Sequence, residues 1–142
     1  DIAASIPVKL LGSLSGKRVL DMCAAPGGKT MQLASMGALV TALDKSISRL
    51  GRVKENLKRT NLSADIICQD ALDWDSNENF YDAVLLDAPC TATGTFRRHP
   101  DVLYNRKPKD LSNLIKIQDQ LLNKSASFVK PRGVFISKTL MV

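Results

Sequence analysis

One stretch, Arg18 to Thr30, constrains this chain more than any other. It opens with the apolar run Val19 to Cys23, interrupted only by Asp21, which is typical of a buried parallel strand. Small residues follow from Ala24 to Gly28, and good helix formers resume at Lys29. The pattern predicts a strand, a tight turn and a helix. Such a turn can present helix N-terminal amides to a ligand, but a turn without any ligand has the same pattern.

Apolar segments alternate with helical patterns along the rest of the chain. The further predicted strands are Ala38 to Asp44, Asp65 to Asp70, Tyr81 to Asp87 and Val134 to Ser137. The other predicted helices are a lead-in helix over Ala3 to Leu11, a helix capped by Ser46, and a long amphipathic helix over Leu111 to Val129. Because no hairpin turns intervene, we predict a doubly wound α/β fold with a mostly parallel sheet.

Bulk composition narrows the function classes. The 142 residues suit one domain, and no run approaches the ~18 apolar residues of a membrane span. Three cysteines without a secretory signal predict a cytoplasmic protein without a disulfide framework. No Cys/His spacing suits zinc, since His99 is the only histidine, and we expect no metal. The net charge of +6 suits a polyanion such as nucleic acid, although charge alone is weak support.

Four acids lie at or near the ends of predicted strands: Asp21, Asp44, Asp70 and Asp87. Ligands of doubly wound sheets bind at the carboxyl ends of the strands, so the four predict a common crevice. Asp44 follows the first strand at the spacing of an acid that holds ribose hydroxyls, but it could instead cap the helix at Ser46. Asp70 could accept from an adenine amino group or cap its own loop, and both interpretations stay open.

Two ligand classes compete for this crevice. Gly28-Lys29-Thr30 matches the end of a P-loop, and Asp87 resembles the acid that steadies magnesium there. The P-loop also needs a glycine where Cys23 stands, and Pro26 removes an amide from a phosphate cradle. A carboxylate at Asp21 repels phosphate and attracts a sulfonium or ammonium group. The charges therefore favour S-adenosylmethionine over ATP.

Two long motifs distinguish the chain. The first is Asp21-Met22-Cys23-Ala24-Ala25-Pro26-Gly27-Gly28-Lys29-Thr30, and the second joins Asp87-Ala88-Pro89-Cys90 to Gly94-Thr95-Phe96-Arg97-Arg98-His99-Pro100-Asp101. Together they closely resemble the RNA cytosine-5 methyltransferases, and among these the bacterial Sun-type enzymes that modify small-subunit ribosomal RNA. The resemblance implies a Rossmann-like S-adenosylmethionine-dependent core over residues 1–142. On the same basis, strands beyond the fifth and an N-terminal RNA-binding domain are expected to be absent.

The resemblance also implies roles for individual residues. The cofactor contacts are expected at Cys23, Ala24, Ala25, Pro26, Gly27, Gly28, Lys29, Asp44, Lys45, Arg49, Asp70, Ala71 and Asp87. From helical spacing alone, the basic residues around Arg49 are better interpreted as a solvated helix face. Cys23 and Cys68 are expected to be inert core thiols.

The implied chemistry activates carbon 5 of cytosine by adding a thiolate to carbon 6. Asp87 would contact the ring nitrogen, and to donate a proton there it needs a raised pKa or a shared proton. Cys90 is the second implied catalytic residue. A long connection, Ala88 to Lys109, is of the kind that is usually functional, and Arg97, Arg98 and Lys107 on it are expected to contact RNA phosphates.

One position departs from the family pattern. The attacking cysteine is expected after Thr139, where the chain has Leu140, and leucine cannot attack. Three accounts stay open. The chain is a non-catalytic cofactor- or RNA-binding remnant, Cys90 is the nucleophile, or the final residues are an artefact of the reading frame. A P-loop nucleotidase is the remaining rival.

Overall fold

The computed structural model describes residues 8–77, 80–88 and 108–137, and for 108–111 the backbone alone. Its elements are β1 (Arg18–Met22), α1 (Gly28–Ser35), β2 (Leu39–Asp44), α2 (Ile47–Thr60), β3 (Asp65–Cys68), β4 (Tyr81–Leu86), α3 (Pro108–Ser127) and β5 (Val129–Ser137). The sheet has the order β3-β2-β1-β4-β5, and every neighbouring pair is parallel. The predicted doubly wound α/β fold is therefore confirmed.

The central strand, β1, carries apolar side chains to both faces of the sheet, as alternation along a strand requires. One face packs against α3 and the loop after β3, through Leu20, Met22, Val84, Leu86, Trp74, Leu121 and Phe128. The other face packs against α1 and the segment before β1, through Val8, Leu11, Leu14, Val19, Leu33, Val40, Ala83 and Leu85. Helix α2 adds a third cluster around Leu50, Val53 and Leu57. The packing on both faces of the sheet holds the carboxyl ends of the strands in fixed positions.

The boundary between the long helix and the last strand differs from the sequence prediction. Val129, expected at the end of the long helix, is the first residue of β5 and lies opposite Tyr81 of β4. The register then shifts, so that Val134 lies opposite Ala83. A glycine explains the shift, because a Cβ at Gly133 would lie only 2.6 Å from Val129 Cγ1.

Three further predictions concern the helices: the Ser46 cap, the lead-in helix and the expected lack of a membrane span. Ser46 caps α2 as expected, accepting a hydrogen bond from the Arg49 amide at 3.4 Å. Of the lead-in helix, Val8 and Lys9 are helical, and residues 1–7 lie outside the described residues. No helix in the described part of the chain combines the length and the apolar character that a membrane crossing needs.

Candidate functional site

A cavity of about 360 Å³ opens at the carboxyl ends of β1 to β4. Its walls are formed by Cys23, Ala25, Leu43, Asp44, Lys45, Arg49, Asp70, Ala71, Leu72, Asp87, Ala88, Ile117 and Leu121. Cys23 and Asp87 directly follow β1 and β4, while Asp44 is the last residue of β2. The volume falls within the range of small-molecule sites, roughly 300–1,000 Å³. The predicted crevice is therefore present, with apolar walls and three carboxylates.

The turn between β1 and α1 shapes one side of this cavity. Cys23 has a φ of 61° and Gly27 a φ of 102°, so the chain reverses twice in five residues. The Gly27 amide donates to the Ala24 carbonyl at 2.8 Å, which closes the turn. A Cβ at Gly27 would lie 3.1 Å from both methyl groups of Val53 on α2. Only glycine fits here, because the backbone conformation and the contact with α2 both exclude a side chain.

Asp44 ties this turn to β2. Its Oδ2 accepts from the Ala25 amide at 3.0 Å, and its Oδ1 accepts from the Ser46 amide at 2.9 Å. The carboxylate is nearly inaccessible to solvent, so removing it would leave two donors without partners. The two earlier interpretations of Asp44 are thus compatible, since it supports the entry to α2 and also lines the cavity.

Arg49 folds back from α2 onto the same turn. Its guanidinium donates to the Ala25 carbonyl, and Nη1 lies 4.0 Å from Asp44 Oδ2. The Arg49 side chain is still 55% exposed, so the solvated-face interpretation holds for it in part, and its guanidinium also supports the turn before α1. The same interpretation holds for the other basic residues of this helix, which are exposed: Arg52, Lys54, Lys58 and Arg59.

Asp70 forms a local cap within the cavity wall. Its Oδ1 accepts from the Leu72 amide at 3.0 Å, and its carbonyl accepts from Trp74 at 2.9 Å. This bonding orders the loop after β3 and brings Ala71 and Leu72 into the wall. Loop capping is therefore observed, and Asp70 lines the cavity at the same time.

Lys29 and Asp87 form an ion pair at the lip of the cavity. Lys29 Nζ donates to Asp87 Oδ2 at 2.6 Å, and their side chains are 16% and 35% exposed. Lys29 stands at the lysine position of a P-loop, yet its ammonium is engaged by a carboxylate. The partially buried setting makes this contact stronger than a surface ion pair.

Asp21 departs from the sequence prediction. Its side chain is completely buried and does not line the cavity. Thr30 Oγ1 donates to its Oδ2 at 2.6 Å, and its Oδ1 has no hydrogen-bond partner among the described residues. Burial raises the pKa of Asp21 to about 7, against the lowering effects of Thr30 and Lys29, and the carboxylates of Asp87 and Asp44 add to the rise. Asp21 thus lies beneath the site rather than in its wall.

The two described cysteines differ in environment. Burial and four neighbouring carboxylates raise the pKa of Cys23 to about 12, which favours the thiol form, and the inertness of this group stays a prediction. Cys68 is exposed, and its Sγ lies 3.7 Å from the Lys45 carbonyl. The prediction of a core position was wrong for Cys68 because β3 is an edge strand of the sheet.

Eight of the thirteen expected cofactor contacts line the cavity: Cys23, Ala25, Asp44, Lys45, Arg49, Asp70, Ala71 and Asp87. The other five form the turn and the start of α1 outside the wall: Ala24, Pro26, Gly27, Gly28 and Lys29. Sequence reasoning missed Leu43, Leu72, Ala88, Ile117 and Leu121 as wall residues. Four of these adjoin predicted acids or continue the helical stripe that contains Leu121.

Other predicted residues cannot be placed. The catalytic candidate Cys90, the RNA contacts Arg97, Arg98 and Lys107, and the substituted position Leu140 all lie outside the described residues. Among the residues that are described, no group of three or more His, Cys, Asp or Glu side chains could hold a metal ion.

This fold is that of the Rossmann-like methyltransferases. A solved protein, PH0851, superposes with a TM-score of 0.90 and 31% identity, covering 96% of this chain and 32% of that chain. NSun6 from Pyrococcus horikoshii, solved with SFG, superposes with a TM-score of 0.85 and 28% identity, covering 96% of this chain and 36% of that one.

The family follows from a sequence match over nearly the whole chain. The model of the 16S rRNA methyltransferase RsmB/F family matches residues 8–142, and the chain belongs to this family. Ribosomal RNA small subunit methyltransferase B of Photorhabdus laumondii is 39% identical over 100% of this chain. The chain spans 34% of that relative's length. The predicted resemblance is confirmed, and the P-loop alternative loses its support.

Proposed function

We propose that this chain is an S-adenosylmethionine-binding core that supports methyl transfer to carbon 5 of cytosine in RNA, with ribosomal RNA as the substrate. One observation carries the proposal: three carboxylates, Asp44, Asp70 and Asp87, line one cavity at the carboxyl ends of three parallel strands. Family membership supports the same assignment, as does the likeness to an NSun6 solved with the S-adenosylmethionine analogue SFG.

The residues of the cavity suit such a donor. Asp44, tied to the turn by two amides, would hold the ribose hydroxyls in a fixed orientation. Asp70 and the apolar side chain of Leu72 would enclose the adenine. The remaining wall near Cys23 and Asp87 would take the amino-acid end, where carboxylates attract its ammonium and sulfonium charges. The donor, when bound, supplies an electrophilic methyl group.

The Lys29–Asp87 pair addresses the need for proton sharing at the target base. A carboxylate alone accepts hydrogen bonds, whereas the ammonium at 2.6 Å provides three protons beside it. Asp87 would orient the cytosine through its ring nitrogen, and Lys29 would supply the positive charge and the proton that the activated ring requires. In this arrangement Asp87 contacts the base, and the proton would pass from Lys29 through Asp87 to the ring nitrogen, leaving Lys29 neutral.

Two positions, Cys90 and Leu140, bear on which group attacks the base. Cys90 would take this role or assist release, since Leu140 stands at the expected position of the attacking cysteine. The alternative, a non-catalytic cofactor- or RNA-binding remnant, is favoured by that same leucine. Arg97, Arg98 and Lys107 would contact phosphates of an RNA whose target base has left its stack.

Calorimetry on the chain tests donor binding. We expect S-adenosylmethionine and S-adenosylhomocysteine to bind and Mg-ATP to give no heat. Asp44→Asn keeps one acceptor oxygen and should weaken both ligands by about tenfold, as the loss of one charge-assisted hydrogen bond implies. Asp65→Asn, an exposed residue at the start of β3, is the matched control. Tighter binding of Mg-ATP, or unchanged affinity in a folded Asp44→Asn variant, would contradict the proposal.

Transfer of labelled methyl groups to ribosomal RNA tests the chemistry. If Cys90 attacks, Cys90→Ser abolishes incorporation; if it assists release, a covalent RNA adduct accumulates. Leu140→Cys should raise incorporation where the rest of the site is intact. If the unsubstituted chain and Leu140→Cys both bind the donor but transfer no methyl group, the chain is the non-catalytic remnant.

A further inference from the structure

The buried carboxyl of Asp21 is unusual among the acids near the cavity. It is inaccessible to solvent, its Oδ1 has no partner among the described residues, and its Oδ2 accepts a hydrogen bond from Thr30 at 2.6 Å. A carboxylate so placed is poorly compensated, since a stable buried charge needs several donors or a paired cation.

The nearest cation does not compensate it. Lys29 Nζ contacts Asp87 Oδ2 at 2.6 Å and so is engaged by a different acid. The charged groups that act on Asp21 are Lys29 from α1, Asp87 after β4 and Asp44 at the end of β2. Two of these three are negative, and Thr30 adds only a neutral hydroxyl. These groups together do not offset a negative charge on Asp21, and one more positive charge nearby would stabilise the ionised form.

We infer that Asp21 is a charge-sensing residue beneath the proposed site, which gives up its proton when a cationic methyl donor occupies the cavity and regains it when the neutral product does. This inference rests on the proposed function and specifies how that site distinguishes donor from product. The donor carries a sulfonium that the product lacks, so the two ligands differ by one charge at nearly the same shape.

The geometry allows this coupling. Cys23, two residues beyond Asp21, lines the cavity, and so do Asp44 and Asp87, whose charges act on the Asp21 carboxyl. A unit charge roughly 12 Å from a carboxyl, with an effective dielectric constant of about 20, lowers its pKa by about one unit. The pKa of Asp21 in the free protein is raised to about 7, so this change falls at neutral pH.

The proton balance follows directly. A fall of about one unit from a pKa near 7 takes Asp21 from half ionised to about nine-tenths ionised at pH 7. About 0.4 proton then passes to the buffer for each donor bound, and the same amount returns when the product replaces it. Donor affinity relative to product affinity should rise about sixfold between pH 5.5 and 7.5.

Calorimetry in buffers of different ionisation enthalpy measures this proton release. We expect about 0.4 proton for S-adenosylmethionine at pH 7 and close to none for S-adenosylhomocysteine. Asp21→Asn should lower the difference by about 0.4 proton and leave whatever the ligands' own amino groups contribute, whereas Asp65→Asn should preserve the whole difference. Thr30→Val keeps the shape but removes the hydrogen bond that lowers the pKa of Asp21, and should move the maximum of release to higher pH.

The outcomes separate the two proposals. Binding of both ligands with equal proton release, or a difference that Asp21→Asn leaves unchanged, overturns the charge-sensing role and leaves donor binding intact. Failure of both ligands to bind the unsubstituted chain contradicts the proposed function and the inference with it. Should Asp21→Asn not fold, the Thr30→Val profile decides, and an unmoved maximum overturns the inference. An infrared carboxyl band that donor binding abolishes and product binding preserves would support it independently.

Discussion

Gly27 is the position where one added methyl group should disturb the candidate site most. Its φ of 102° costs an L-residue about 1–2 kcal/mol, and a Cβ would lie 3.1 Å from both methyl groups of Val53. Overpacking of this kind adds about 1–3 kcal/mol. We therefore expect Gly27→Ala to lower the free energy of unfolding by about 2–5 kcal/mol. The neighbouring Gly28→Ala is the matched control, because nothing lies within 4 Å of its Cβ position and its backbone is helical.

A double-mutant cycle separates the two contributions. Val53→Ala alone should cost about 1–3 kcal/mol through the cavity that it leaves. Combined with Gly27→Ala it should cost about 1–2 kcal/mol less than the sum, since the smaller side chain makes room for the new methyl group. Urea unfolding followed by circular dichroism measures all four proteins. Additivity within about 0.5 kcal/mol would refute the contact with Val53, and a neutral Gly27→Ala would refute the conformational argument as well.

Three further predictions concern the described residues. Arg132 has a φ of 65° in the irregular part of β5, so Arg132→Gly should stabilise the chain by about 0.5–1 kcal/mol in urea unfolding, and a loss would contradict the strain argument. Because burial raises the pKa of Asp21 to about 7, the folded chain keeps a proton that the unfolded chain loses near pH 4. The free energy of unfolding should therefore fall as pH rises from 4 to 7, and Asp21→Asn should flatten this slope. In a Cys90→Ser background, a thiol reagent should modify Cys68 in the folded protein and Cys23 only after unfolding, and equal rates would contradict the assigned environments.

The sequence located the site through the positions of its acids, and it did so best where an acid ends a strand. Asp44 and Asp87 were placed correctly because an apolar run stops abruptly at each of them. Asp21 was misplaced because it lies inside β1, one residue before Met22, and alternation turns its side chain toward α1. A carboxyl two residues before the predicted end of a strand can therefore lie in the interior beneath a cavity rather than in its wall.

Local sequence patterns could not predict the contacts between segments that come together only in the folded chain. Arg49 has the spacing of a solvated residue, and only the approach of α2 to Ala25 shows that its guanidinium supports the turn. Val129 is apolar and fits the helical spacing of α3, but it is the first residue of β5, where its side chain packs closely against Gly133. Both cases depend on tertiary packing, which overrides periodicity where elements end.

The acids near the cavity differ in how their charge is compensated, and this difference separates two kinds of substitution. Asp87 is paired with Lys29, and Asp44 is bonded to two amides beside Arg49, so both charges are fixed by the fold. Asp21 has one hydroxyl donor and an unpartnered oxygen, so its ionisation responds to whatever charge the cavity holds. Changes to the wall should therefore alter the affinity for donor and product together. A change at Asp21 should alter their ratio, although its side chain contacts neither ligand.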